Sequence, residues 1–164
     1  MAPTRRPADH LPDRADARFP PRPLIVSLHV ATGAAVGAAA GTRRRAALAG
    51  ALSHFLGDGV PHRDIRSRRF EIGSGLALLG LLAVSRGPLD PAVIGACAAS
   101  APDLEHVLPL PRPGGRKLFP SHRIRGWHRE GGLPGWLQLA AAGAIAGSLL
   151  RKPISRTVQL DYTE

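Results

Sequence analysis

Five apolar stretches, Leu24 to Gly41, Ala46 to Val60, Ile72 to Val84, Leu89 to Ala101 and Gly132 to Leu150, are so rich in Ala, Gly and Leu that they leave few folds open. The branched and aromatic alternation of a half-buried strand is nearly absent. Aromatics are 4% of the chain and Asn does not occur, so helix is favoured over sheet. Small side chains also let helix backbones approach closely, as they do inside membranes. The expectation is an all-α fold, a helical bundle of about five helices, embedded in a membrane.

Between these stretches lie Thr42-Arg43-Arg44-Arg45, the loop Pro61 to Glu71, the punctuation Arg86-Gly87-Pro88 and a long Pro/Gly/Arg segment from Pro102 to Gly131. Residues 1–22 hold five Arg, five Pro and few large apolar side chains, which cannot repay the entropy of ordering. They are expected to be a disordered basic tail without a secretory signal, followed by a helical domain over 23–152 and a frayed C-terminal tail over 153–164. Cys97 is the single cysteine, so no intrachain disulfide forms, and its apolar setting predicts a buried, inert thiol.

A bilayer span takes about 20 apolar residues, and only the first and last stretches, of 18 and 19 residues, approach that. If all five nevertheless cross, roughly two-thirds of the 22 Lys and Arg fall on the side of the N-terminal tail. Positive loops mark the cytoplasmic side, which gives an N-in arrangement in the inner membrane. Arg43, Arg44 and Arg45 lie on the far side in this threading and run against the bias.

Five of the seven histidines fall in three short clusters, Ser53 to Asp64, Pro102 to His106 and Ser121 to His128, the first two of which also contain carboxylates. Imidazole nitrogen and carboxylate oxygen are the usual ligands of a divalent metal. His54 and Asp58, at i and i+4, share one helical face. A buried His–carboxylate hydrogen bond explains that pair alone equally well. His62 and Asp64 follow on a turn made by Gly57, Gly59 and Pro61, with Asp64 either a ligand or an acceptor that orients a histidine. Asp103 and His106 are spaced i and i+3, although Asp103 after Pro102 also suits a helix cap. His122 and His128 flank a loop with Arg123 and Arg125, which suits a phosphate or other oxyanion, whereas a solvated basic loop would account for the arginines only.

The same threading carries these groups to one end of the bundle. His29 lies roughly 9 Å into the first helix, and His54 and Asp58 lie about 12 and 6 Å from the same face, on the side of His62 and the segment containing His106 and His122. A lone histidine facing lipid is unfavourable, so His29 is expected to face inward. Such convergence is what a metal site between helices requires. The candidate ligands are therefore His54, Asp58, His62, Asp103 and His106, then His29, His122 and His128. Zinc is the favoured ion.

These residues resemble a bacterial family of predicted membrane-bound metal-dependent hydrolases. The resemblance rests on an early helical His29, a Ser-His-x3-Asp element (Ser53, His54, Asp58), a Pro-Asp-x-Asp-His-like element (Pro102, Asp103, Glu105, His106) and a His-Arg-Gly-x-x-His-like loop (His122, Arg123, Gly126, His128). Glu105 stands where the pattern has Asp, two residues separate Arg123 from Gly126, and the Ser-His element precedes the Pro-Asp element. The resemblance implies a helical membrane protein with its ligands near one membrane face. The spacing His54-x3-Asp58-x3-His62 is also similar to that of zinc-dependent phospholipase C and related nucleases.

The expected activity is metal-dependent hydrolysis of a phosphodiester or ester in an amphiphilic, lipid-like substrate, with the site on the cytoplasmic face. In this reading Glu105 or Asp64 is the general base, and Arg123 or Arg125 holds the anion. The alternative is a non-catalytic membrane protein with a structural or metal-binding His/Asp site. The net charge of +10 raises a third class, nucleic-acid binding, but one Tyr, two Trp and four Phe offer few stacking platforms and no recognition helix stands out, so no specific nucleic acid is expected.

Overall fold

The computed structural model describes residues 26–63, 65, 67–127 and 131–151. The expected tails, 1–22 and 153–164, lie outside the described residues. Among the described residues six α-helices run in the order α1 Val26–Ala40, α2 Arg43–Asp58, α3 Arg68–Arg86, α4 Pro91–Ser100, α5 Leu104–Val107 and α6 Gly135–Arg151. No strand occurs among the described residues; one isolated bridge pairs His62 with Leu133. The all-α expectation therefore holds, with five long helices and a single short turn, α5.

Local sequence explains where these helices begin and stop. Thr42, Ser67 and Asp90 cap α2, α3 and α4, each side chain accepting a backbone N–H of the first turn. Pro91 sits at the first position of α4, where the missing N–H is not needed. Gly87, at φ 93°, ends α3 in a backbone conformation that other residues adopt only with strain.

Helix α1 is the central element and touches each of the other four long helices. Its tightest contacts involve glycine. A Cβ on Gly33 would lie 2.4 Å from Ala99 Cβ and 2.6 Å from the Gly95 carbonyl oxygen, and one on Gly37 would lie 2.3 Å from the Pro91 oxygen. Rising numbers in α1 meet falling numbers in α4, so these two helices are antiparallel. On α2, Gly50 meets the same Gly95, 2.2 Å from its oxygen to the position of an added Cβ. Gly57 near the end of α2 meets His29 near the start of α1, which makes α1 and α2 antiparallel as well. Hence α2 and α4 run parallel, and both C-termini arrive beside the N-terminus of α1.

The buried side chains match this geometry. Ala31, Ala34, Ala46, Ala92, Ala96 and Ala99 are buried where the helices meet, with Val30, Val93 and Leu82 filling the wider gaps. At the end remote from His29, polar contacts fasten the helices. Arg43 Nε donates to the Leu89 carbonyl at 3.1 Å, while Arg86 pairs with Asp90 at 3.1 Å and donates to the Leu149 carbonyl at 3.0 Å.

Two expectations change. Among the described residues no helix is long and apolar enough to cross a membrane. Helix α1 has 15 residues and α4 has 10; α3, with 19, carries Arg68, Arg69 and Glu71 at one end and Arg86 at the other. The apolar stretches were correctly located, but their ends are too polar or too close together for spanning. Cys97, expected inside, is exposed. The inward face of α4 is taken by Ala92, Val93, Gly95, Ala96 and Ala99, which turns Cys97 outward.

Gly95→Ala is expected to destabilise the fold by about 1–3 kcal/mol, because the new methyl would meet the backbone of α1. Gly80→Ala in α3, where an added Cβ meets nothing within 4 Å, is expected to stabilise by about 0.5–1 kcal/mol. Thermal unfolding of the two variants beside the wild type checks both, and equal melting temperatures would contradict the packing argument.

Candidate metal centre

Each turn at the converging end contributes one or two polar side chains. The first turn of α1 supplies His29, and the last turn of α2 supplies His54 and Asp58. Helix α4 runs on through a 3-10 turn, Ala101–Asp103, into α5, which brings Asp103, Glu105 and His106 round the same end. After a loop, the 3-10 turn Pro120–His122 delivers His122. The donors thus come from five elements, and residues as far apart in the chain as His54 and His122 meet.

The donor atoms are close together and enclosed. His54 Nε2 lies 3.1 Å from Asp58 Oδ2 and 4.0 Å from Asp103 Oδ1. His122 Nε2 lies 3.5 Å from Asp58 Oδ2 and 3.9 Å from Asp103 Oδ1. His29 Nε2 lies 3.4 Å from the other Asp58 oxygen. His54 is 1% exposed and Asp58 3%. Four ligands at about 2.0–2.1 Å from a tetrahedral ion lie about 3.3–3.4 Å apart, so the spacing of these atoms is close to that of a ligand shell.

Hydrogen bonding supports the fit to a cation. Although His54 Nε2 and Asp58 Oδ2 are 3.1 Å apart, neither atom has hydrogen-bond geometry to a partner among the described residues, nor does Asp103 Oδ2. Leaving a buried donor or acceptor unsatisfied costs about 1–3 kcal/mol per group. A divalent ion engages such lone pairs directly, and the described groups that could hold one are His29 with His54 and Asp58, His54 with Asp103 and His122, and Glu105 with His106 and His122.

Electrostatics separate the two aspartates. Burial opposes ionisation of Asp58, but the imidazoles of His29 and His54 outweigh it and hold the carboxyl well below the usual carboxylate range. Asp103 is pushed up by burial, which the surrounding histidines offset only in part. Burial would lower His54, yet the Asp58 and Asp103 carboxylates raise it, whereas for His122 burial prevails over its acidic neighbours and lowers it.

Glu105 does not sit among the donors as a free base. One of its carboxylate oxygens accepts from His122 Nδ1 and the other accepts the Leu118 N–H at 2.6 Å. These two bonds lower Glu105 against the opposing effect of burial. A proton fixed on Nδ1 leaves Nε2 of His122 with its lone pair toward Asp58, the arrangement typical of a metal-ligating histidine backed by a carboxylate. Sequence spacing does not reveal this role, because the bond spans seventeen residues.

Of the other expected residues, His106 belongs to the third group, whereas His62, Arg123 and Arg125 lie outside all three. His106 Nε2 is 3.4 Å from His122 Nε2, with Lys117 Nζ 3.1 Å away from the same nitrogen. His62 Nδ1 lies 2.6 Å from the Val60 carbonyl, and His62 belongs to none of the three groups. Arg123 donates from Nε to the Lys117 carbonyl, and Arg125 is exposed on the following turn. Asp64 and His128 lie outside the described residues. The cations unforeseen from the sequence are Arg116 and Lys117, which with His122 and Arg123 line an open recess of about 510 Å³ beside the cluster.

Two further contacts anchor the His122 loop. Trp127 donates from Nε1 to the Phe55 carbonyl at 2.8 Å and stacks on the Phe55 ring at 4.6 Å between centroids. Arg68 and Arg112 donate to the carbonyls of His106 and Glu105. No family model, curated protein or solved structure matches the chain.

Glu105→Gln is expected to weaken metal affinity by about 10–100-fold, since a carboxamide holds the Nδ1 proton less firmly. Competition titration with a metallochromic chelator reads this directly, and an unchanged affinity would show that Glu105 does not support His122.

Proposed function

We propose that this chain is a metal-dependent hydrolase acting at a membrane surface on an anionic, amphiphilic phosphodiester or ester. The observation that carries the reading is the adjacency of two unlike sites. Buried His54, Asp58, Asp103 and His122 crowd their donor atoms together, and His122 also borders the recess formed by Arg116, Lys117 and Arg123.

A bound divalent ion, zinc in the first instance, would supply a water of lowered pKa and polarise the bond under attack. The residues of the chain supply placement. Arg116, Lys117 and Arg123 put three cations beside the donors, where a phosphoryl or carboxyl group can be held and its developing charge offset. His106, between His122 and Lys117, is within reach of both the cluster and the recess and is the proton-transfer group of this reading. Glu105 acts through His122, as a positioning residue.

The outer surface supports a lipid-like substrate. Leu48, Leu52 and Leu56 recur every four residues on α2 and are 74%, 56% and 56% exposed, while His54 and Asp58 face inward from the same helix. Leu76 and Val84 on α3 and Trp136 at the start of α6 add exposed apolar area. Apolar faces of this extent suit an interface with lipid, with tryptophan at its margin. The cytoplasmic face of the inner membrane, where basic loops meet anionic lipid, is the location proposed.

The near-complete burial of His54 and Asp58 favours a second reading, an ion that is structural and performs no turnover. One experiment separates the two. Detergent-purified wild type and the His54→Ala/Asp58→Ala double variant are analysed for metal and assayed with phosphodiester and carboxylic ester chromogenic probes. The hydrolase reading expects bound metal and turnover in the wild type, with both lost in the variant. Bound metal, loss of helical signal on chelation and no turnover would leave the structural reading, and wild type without metal would remove both.

A further inference from the structure

The two oxygens of Asp58 face different imidazoles. Oδ1 lies 3.4 Å from His29 Nε2, whereas Oδ2 lies 3.1 Å from His54 Nε2 and 3.5 Å from His122 Nε2. The donors around this carboxylate accordingly divide into two sides. His29 groups with His54 and Asp58, while His54 groups separately with Asp103 and His122.

An imidazole nitrogen has one lone pair and serves one ion, but a carboxylate can serve two, one through each oxygen. The shared residue able to satisfy both sides is therefore Asp58, not His54. We infer that Asp58 bridges two divalent ions, one held by its Oδ2 with His54, His122 and Asp103, the other by its Oδ1 with His29.

Three observations support the second position. His29 is buried in the first turn of the central helix, where a lone polar ring is otherwise unfavourable, and its Nε2 points at Asp58. The chain keeps room for the ring, since a Cβ on Gly57 would lie 3.0 Å from His29 Cε1. The His29 and His54 rings lie face to tilted face with centroids 4.4 Å apart, so their nitrogens reach Asp58 from neighbouring directions without occupying one place. Two ions about 3.5–4 Å apart across a carboxylate would flank an attacking and a leaving oxygen, which suits a phosphodiester in the adjoining recess.

This inference rests on the metal reading above but fails separately from it. Full-length protein is loaded with Zn²⁺, desalted and measured for metal per chain, for wild type and His29→Ala. The expected result is two ions per chain in the wild type and one in His29→Ala. Wild type retaining one ion, or His29→Ala retaining two, would overturn the bridge and leave the single-ion reading standing; no ion in the wild type would overturn both. Should His29→Ala fail to fold, the wild type loaded with Mn²⁺ is read by electron paramagnetic resonance. An exchange-coupled pair is expected there, and an isolated-ion spectrum would overturn the bridge.

Discussion

Everything at the polar end of this bundle depends on backbone-to-backbone contact between α1, α2 and α4. Gly33 and Gly37 on α1 and Gly50 on α2 all close on Gly95. A helix pair separated by ordinary side chains stands 8–10 Å apart, and removing Cβ atoms permits closer approach. The alanines around this junction bury little area each, so attraction here comes from dense packing as well as from displaced water. Contact at the glycines also fixes register. With α2 and α4 parallel and α1 reversed, His29, His54 and Asp103 reach the same level.

That register creates an electrostatic difficulty which shapes the rest of the site. Histidines and carboxylates from four elements are brought out of water together. The Asp58 carboxylate is held ionised by imidazoles, while the Asp103 carboxyl is driven toward its neutral form by burial. Such a set has a net preference for a cation at its centre, since Coulomb attraction in a water-poor site strengthens as the dielectric falls. The arginine-lined recess lies outside this enclosure, where its charges remain solvated.

Much of this was legible in the chain itself, and the reasons are specific. Ala/Gly/Leu stretches name their helices, and the i, i+4 pair His54 and Asp58 needs only helical periodicity to share a face. The joint level of His29, His54 and Asp103 follows from counting residues along antiparallel elements. Glu105 shows where counting fails. Its partner His122 arrives through a loop with no repeating pattern, so the bond between Glu105 and the His122 ring is not visible in the spacing. His62 stands outside the three donor groups, and Val60, two residues away, engages its ring locally. Apolar content alone does not decide membrane crossing: α3 is charged at both ends, α4 has 10 residues, and among the described residues no helix is long and apolar enough to cross.

Directional bonds fasten both ends of the bundle. Far from the site, Arg43 and Arg86 tie α2, α3, α4 and α6 by directional bonds to backbone and to Asp90. At the other end Arg68, Trp127 and Gln138 likewise donate to backbone carbonyls of neighbouring segments, around the histidines and carboxylates of the cluster. Helices α2 and α4, which carry His54 and lead into Asp103, touch at Gly50 and Gly95, so a side chain added at either glycine would part the donors as well as loosen the core.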